Sequence, residues 1–175
     1  PGMRSSFVVA VLSAALPLAA AATPLIDAVK RHDRAAVNAL LDRGADVAAA
    51  EGDGTTALHW AVQLDDLAAV DLLLEAGATA TAVNRFAVTP LELAANNGNA
   101  EIIARLVAAG ADPNARSREG QTPLMSAALN GRVPAIDALL ASGATVDAAE
   151  TYRGQTALML AAGEGNVDAA RTLIS

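Results

Sequence analysis

Few side chains in this sequence could do chemistry. There are two histidines, His32 and His59, and no cysteine. A bound transition metal needs three or four nitrogen, sulfur or carboxylate donors converging on one point. No third group is spaced to complete such a set with either histidine. Ser117, Ser126 and Ser142 have no neighbouring His or Lys, and no Gly-x-Ser-x-Gly turn presents a serine as a nucleophile. Glu51-Gly52-Asp53-Gly54 has the composition of a calcium loop without its ligand spacing, and reads as a loop tip. Asp65-Asp66 could be a carboxylate pair for acid–base work, but two adjacent acids read as a solvated turn. No catalytic, cofactor-binding or metal-ligating residue is assigned, and an enzyme is not expected. The groups that remain suit holding a surface: Trp60, Phe86 and Tyr152, with Arg85, Arg118 and Arg153. Tyr, Trp and Arg are enriched at interaction hot spots. The competing readings are packing between neighbouring units for Trp60, a loop staple for Phe86, and plain exposure for Tyr152 and Arg153.

Composition narrows the partner. The chain carries a formal net charge of −7, and no basic run extends beyond Lys30-Arg31 and Arg34. Nucleic-acid binding requires clustered Lys and Arg to neutralise phosphates, so it is not expected here, nor is a small-molecule substrate. Residues are 53% hydrophobic but only 2% aromatic, which leaves Ala, Leu, Val and Ile to build the core. The absence of cysteine removes disulfides, thiolate chemistry and lipid attachment through sulfur.

The elements that must position these residues come from a repeat. Thr23-Pro24-Leu25, Thr56-Ala57-Leu58, Thr89-Pro90-Leu91, Thr122-Pro123-Leu124 and Thr156-Ala157-Leu158 are spaced by 33, 33, 33 and 34 residues. Gly44-Ala45, Gly77-Ala78, Gly110-Ala111 and Gly143-Ala144 keep the same phase. Aliphatic pairs run just ahead of each, at Leu40-Leu41, Leu73-Leu74, Leu106-Val107 and Leu139-Leu140, and Leu173-Ile174 supplies a fifth. Self-similarity at such a period marks units that bury their apolar faces only by stacking on one another.

Each unit predicts two helices. The five threonines are placed to cap the first helix through the hydroxyl, and Pro24, Pro90 and Pro123 follow at the first helical position, where a missing N–H is harmless. Gly98, Gly131 and Gly165 are expected to end the first helix in a left-handed turn, with His32 and Asp65 in that place in the first two units. Val37, Leu40 and Leu41, with their counterparts Val70, Leu73, Leu74, Ile102, Ile103, Leu106, Ile136, Leu139 and Leu140, give the second helix its apolar stripe.

The pattern Thr-Pro-Leu-His-x-Ala, then a Gly turn, then Leu-Leu-x-x-Gly-Ala, resembles the ankyrin repeat over Thr23 to Ser175. The resemblance implies an all-α repeat solenoid: helix-turn-helix units with hairpin fingers between them, about five in number, the last truncated. The units fall at about 23–50, 51–83, 84–116, 117–150 and 151–175. It also implies that His59 braces its own turn, and that the chain binds a protein through the fingers and the concave first-helix face. Residues that differ between units are free of the stacking constraint. On that ground Trp60, Arg85, Phe86, Arg118, Tyr152 and Arg153 are the expected contacts, with a partner whose identity the sequence does not carry.

The N-terminus reads differently. Arg4 precedes an apolar stretch, Phe7 to Ala22, that ends in four alanines, with Ala20 and Ala22 suited to cleavage before Thr23. A basic start, a short apolar core and small residues at the end describe a secretory signal. Residues 1–22 are therefore expected to direct export to the periplasm or medium, with Pro1-Gly2 extraneous to a start at Met3; the membrane becomes a partner if the segment stays uncleaved. Leu173-Ile174-Ser175 ends inside the last helix pattern without a polar cap, which points to a fragment and to an end that frays first. A non-catalytic arm of a longer enzyme or membrane-tethered protein, its active domain after Ser175, is the alternative reading.

Overall fold

The computed structural model describes residues 23–175; the expected signal segment at 1–22 lies outside them. Ten helices are present among these residues: α1 (Pro24–Lys30), α2 (Arg34–Asp42), α3 (Ala57–Gln63), α4 (Leu67–Glu75), α5 (Pro90–Asn97), α6 (Ala100–Ala108), α7 (Pro123–Leu129), α8 (Val133–Ala141), α9 (Ala157–Gly163) and α10 (Val167–Leu173). The odd-numbered helices stack on one another in one layer and the even-numbered helices in a second, with each pair closed across the layers. The result is the all-α repeat solenoid. None of the described helices is long and apolar enough to cross a membrane.

The helix starts follow the capping logic in four units and break it in one. The hydroxyls of Thr56, Thr89, Thr122 and Thr156 accept from the amides of His59, Glu92, Met125 and Met159. Thr23 makes no such bond, contrary to expectation. Its ψ is 86°, whereas ψ lies between 158° and 171° at the other four, so its hydroxyl does not meet the third amide. Those four are held extended by a closed finger ahead of them; Ala50 bridges Thr56 and Ala149 bridges Thr156. A second set of caps opens the even-numbered helices: Asp33, Asp66 and Asn99 accept from Ala36, Ala69 and Ile102.

The left-handed turns fall where the pattern put them, and His32 and Asp65 adopt φ of 53° and 58° in place of glycine. A third non-glycine, Ala87, has φ 61°, between Gly54 and Gly120 at the same place in neighbouring fingers. A Cβ in this region meets the carbonyl oxygen and costs roughly 1 kcal/mol or more. Ala87→Gly is therefore expected to raise unfolding free energy by about 0.5 kcal/mol, the relief of strain being partly offset by the freer unfolded chain. A urea-denaturation midpoint at or below that of the native chain would contradict it.

The core runs between the layers. Leu58, Leu91 and Leu124 from the first helices, and Val70, Leu73, Ile102, Ile103, Leu106, Ile136 and Leu139 from the second, are buried. Of each aliphatic pair in α4, α6 and α8, the first member is buried and the second only partly so. A hundred-degree step between neighbours turns the second toward the edge of the stack. In the last unit α9 and α10 have a stacked neighbour on one side, and Val167 and Ile174 are exposed at 64% and 70%.

Candidate partner-binding surface

Four fingers lie between the helix pairs, each closed by a backbone bond: Glu51 to Thr55, Asn84 to Val88, Ser117 to Gln121 and Glu150 to Gln155, the first residue's N–H donating to the second's carbonyl. The fourth loop holds the extra residue expected between Gly143 and Thr156. Neighbouring fingers are tied together. The Arg85 amide donates to the Asp53 carbonyl at 2.8 Å, and the Thr151 amide donates to Glu119 at 3.0 Å. Between the second and third fingers the Arg118 guanidinium does this work, donating to the carbonyl of Arg85. The tips thus form one connected ridge.

The six expected contact residues divide on this frame. Phe86 and Tyr152 stand on the ridge, exposed at 63% and 83%. Each has an arginine against its ring, Arg85 at 5.6 Å from the Phe86 centroid and Arg153 at 5.7 Å from that of Tyr152. In the fourth finger the Glu150 carboxylate accepts from the amides of Tyr152, Arg153 and Gln155, which fixes the longer loop. These bonds hold the Glu150 carboxyl below its ordinary pKa. Trp60 lies lower, half-buried on α3. Its Nε1 donates to Glu51 at 2.8 Å, and Lys30 Nζ sits 4.2 Å from its ring centroid while pairing with Glu51 at 2.5 Å. The Lys30 and Trp60 bonds pull the Glu51 carboxyl below its usual pKa. One face and the donor of Trp60 are thus engaged within the chain. The rest of the ring lines a groove of about 270 Å³ shared with Gln63, Leu93 and Phe86.

Two sequence readings need correction. Glu51 is more than a loop tip, because it joins the first unit to the second through Lys30 and Trp60. Asp66 is not a solvated turn residue but is buried: its carboxylate caps α4 and receives His32 Nδ1 at 3.3 Å and Arg34 Nη2 at 3.2 Å. Both contacts join residues about one unit apart in the chain, so no local motif reports them. His59 occupies its expected bracing place and does one thing more. Its Nδ1 accepts from the Thr56 amide at 3.2 Å, and its Nε2 lies 3.2 Å from the Val88 carbonyl in the next finger. An imidazole whose Nδ1 receives an N–H must carry its proton on Nε2, so it donates to Val88. Glu92 stands at the equivalent place on α5, where burial, with Glu119 adding repulsion, raises its carboxyl pKa.

A family model described as ankyrin repeats (three copies) matches residues 14–84 and 91–175. The chain belongs to the ankyrin repeat family. No curated protein matches it at a significant level. Ankyrin repeats are generally protein–protein interaction modules and typically non-catalytic, and an exposed ridge of fingers above stacked helices is what such a module presents. Among the described residues no group of His, Asp and Glu is arranged to hold a metal ion.

Proposed function

We propose that this ankyrin repeat chain is exported and captures a partner protein through its fingers and the groove beneath them. The observation that carries the reading is the pair of aromatics, Phe86 and Tyr152, left in water on a ridge whose tips are bonded to one another. Large aromatics stranded in solvent gain by being covered, and rigid tips lose little entropy when they are. Trp60 belongs to the same surface through its free edge, with Arg85, Arg118 and Arg153 along the rim. The export half rests on the sequence of residues 1–22 and is tested by mass spectrometry of the protein in the exported fraction, where an N-terminus near Thr23 is expected. An intact Met3 terminus on soluble cytosolic protein would overturn it.

The binding half is tested with Phe86→Ala and Tyr152→Ala, scored for melting temperature and for affinity toward a partner recovered with the native chain. Each is expected to weaken binding by about 2 kcal/mol or more while the melting temperature holds, since neither ring is buried in the stack. Retained affinity with a lowered melting temperature would make them structural and place the partner on another face.

A further inference from the structure

Among the described residues, four of the eight cations away from the fingertips are ion-paired, and the fingertip arginines are not. Arg34, Arg105, Arg171 and Lys30 each form an ion pair. Arg85, Arg118 and Arg153 form none among the described residues, although the chain is acidic, at −7 overall. The acids nearest them are occupied by other donors. The Asp53 carboxylate accepts from the Thr55 amide, that of Glu150 from three amides of its own loop, and that of Glu119 from the Ser117 hydroxyl. The groove below the first two tips has apolar walls at Trp60, Phe86, Val88 and Leu93, and one acid, Asp53, whose carboxylate is taken by the Thr55 amide. A cationic rim over a largely apolar groove, on an otherwise acidic molecule, favours one kind of ligand.

We infer that the partner segment is an extended acidic peptide, with carboxylates on Arg85, Arg118 and Arg153 and an apolar side chain in the groove between Trp60 and Phe86. This rests on the partner-capture reading and adds the chemistry of what is captured. Spacing supports it. Packed helices stand about 8–10 Å apart, and the tips ride on successive helix pairs. An extended chain advances about 3.3 Å per residue, so acids at every third residue meet successive tips. Guanidinium groups take carboxylates in forked pairs. Arg118 spends one nitrogen on the Arg85 carbonyl, which tethers the group and leaves its other N–H groups without a partner among the described residues. A nucleic-acid strand, a polyanion of many charges, would meet the repulsion of the acidic body.

The test uses the full chain and a random peptide library displayed on phage, followed by binding measurements on synthesised winners. Selected peptides are expected to repeat Asp or Glu at a spacing of about three and to carry one aliphatic or aromatic residue to one side. The triple variant R85Q/R118Q/R153Q is expected to lose tenfold or more in affinity for them. The triple Arg→Lys variant should keep part of it, and R105Q/R171Q should keep all. Added salt should weaken binding to the native chain more than to the Gln variant. If the Gln variant melts early, the Lys variant and the salt dependence still decide. Neutral or basic winners that Phe86→Ala abolishes would overturn the acidic inference and leave the capture surface standing. Acidic winners that bind the triple Gln variant equally would overturn the arginine assignment. Winners indifferent to both sets, or a selection that returns none, would count against the acidic peptide; indifference to Phe86→Ala would count against the surface as well. Single-stranded DNA competing as well as the acidic peptide would also overturn it.

Discussion

Leu106→Ala is expected to lower the unfolding free energy by about 2–5 kcal/mol, the range for emptying a buried leucine site. Leu106 is fully buried on α6, in the middle of the stack, where α6 packs on α5, α4 and α8. A solenoid is stabilised by each unit and by its interfaces with its two neighbours, so a cavity in a central unit weakens both interfaces. Leu173 holds the corresponding place on α10, is 7% exposed, and faces one stacked neighbour. In the 175-residue chain, Leu173→Ala should therefore cost less. The same reasoning expects amides near Leu158 to exchange with solvent faster than those near Leu91. Urea denaturation of the two variants and hydrogen exchange of the native chain check it. Equal losses, together with equal protection, would mean that the stack behaves as one indivisible unit.

His59→Ala is expected to cost about 2–4 kcal/mol, more than the loss of an ordinary helix cap. His59 is 1% exposed, and its removal strands the Thr56 amide and takes one of the two donors from the Val88 carbonyl, leaving only the Asn84 amide. His59→Gln restores the reach back to the Thr56 amide, as Glu or Gln does in a capping box, but is too short for Val88, so an intermediate loss is expected. The bond to Val88 fixes the base of the finger that carries Arg85 and Phe86, which couples this residue to the proposed partner surface. The pH dependence follows from the same contacts. Burial holds the His59 pKa below the ordinary 6.5. A base whose folded pKa is depressed contributes its full stability above the unfolded value, and that stability is lost as pH falls below it, because the unfolded chain then binds the proton. A proton on Nδ1 would also face the Thr56 N–H. The melting temperature should fall between pH 7 and pH 5, and the part due to His59 should vanish in His59→Gln. An unchanged slope in that variant would show that other groups carry the effect.

Much of this fold was legible because its rules are local and repeat. A Thr hydroxyl reaches an amide three residues away, and Gly98, Gly131 and Gly165 turn a helix through their own backbone. Thr23 shows the limit of such a rule. It has the same motif as the other four, but its ψ of 86° turns the hydroxyl away from the third amide. The same limit governs the candidate site. Phe86 and Tyr152 could be picked out because they interrupt a repeat of small aliphatics. The engagement of Trp60 with Lys30 and Glu51 could not, nor could the burial of Asp66 under His32 and Arg34.

The sequence by itself determined the architecture: a period of 33 residues in three independent markers admits little besides stacked helix pairs, since a single pair cannot bury its apolar face. Tertiary structure alone decided which polar groups are spent and which remain for a partner. The bonds that settle this, Arg85 to Asp53, Arg118 to Arg85 and Thr151 to Glu119, join residues about one repeat apart in the chain. Stacking brings them within hydrogen-bond reach, and one period of sequence separation leaves no local pattern from which to read a bond a few ångströms long.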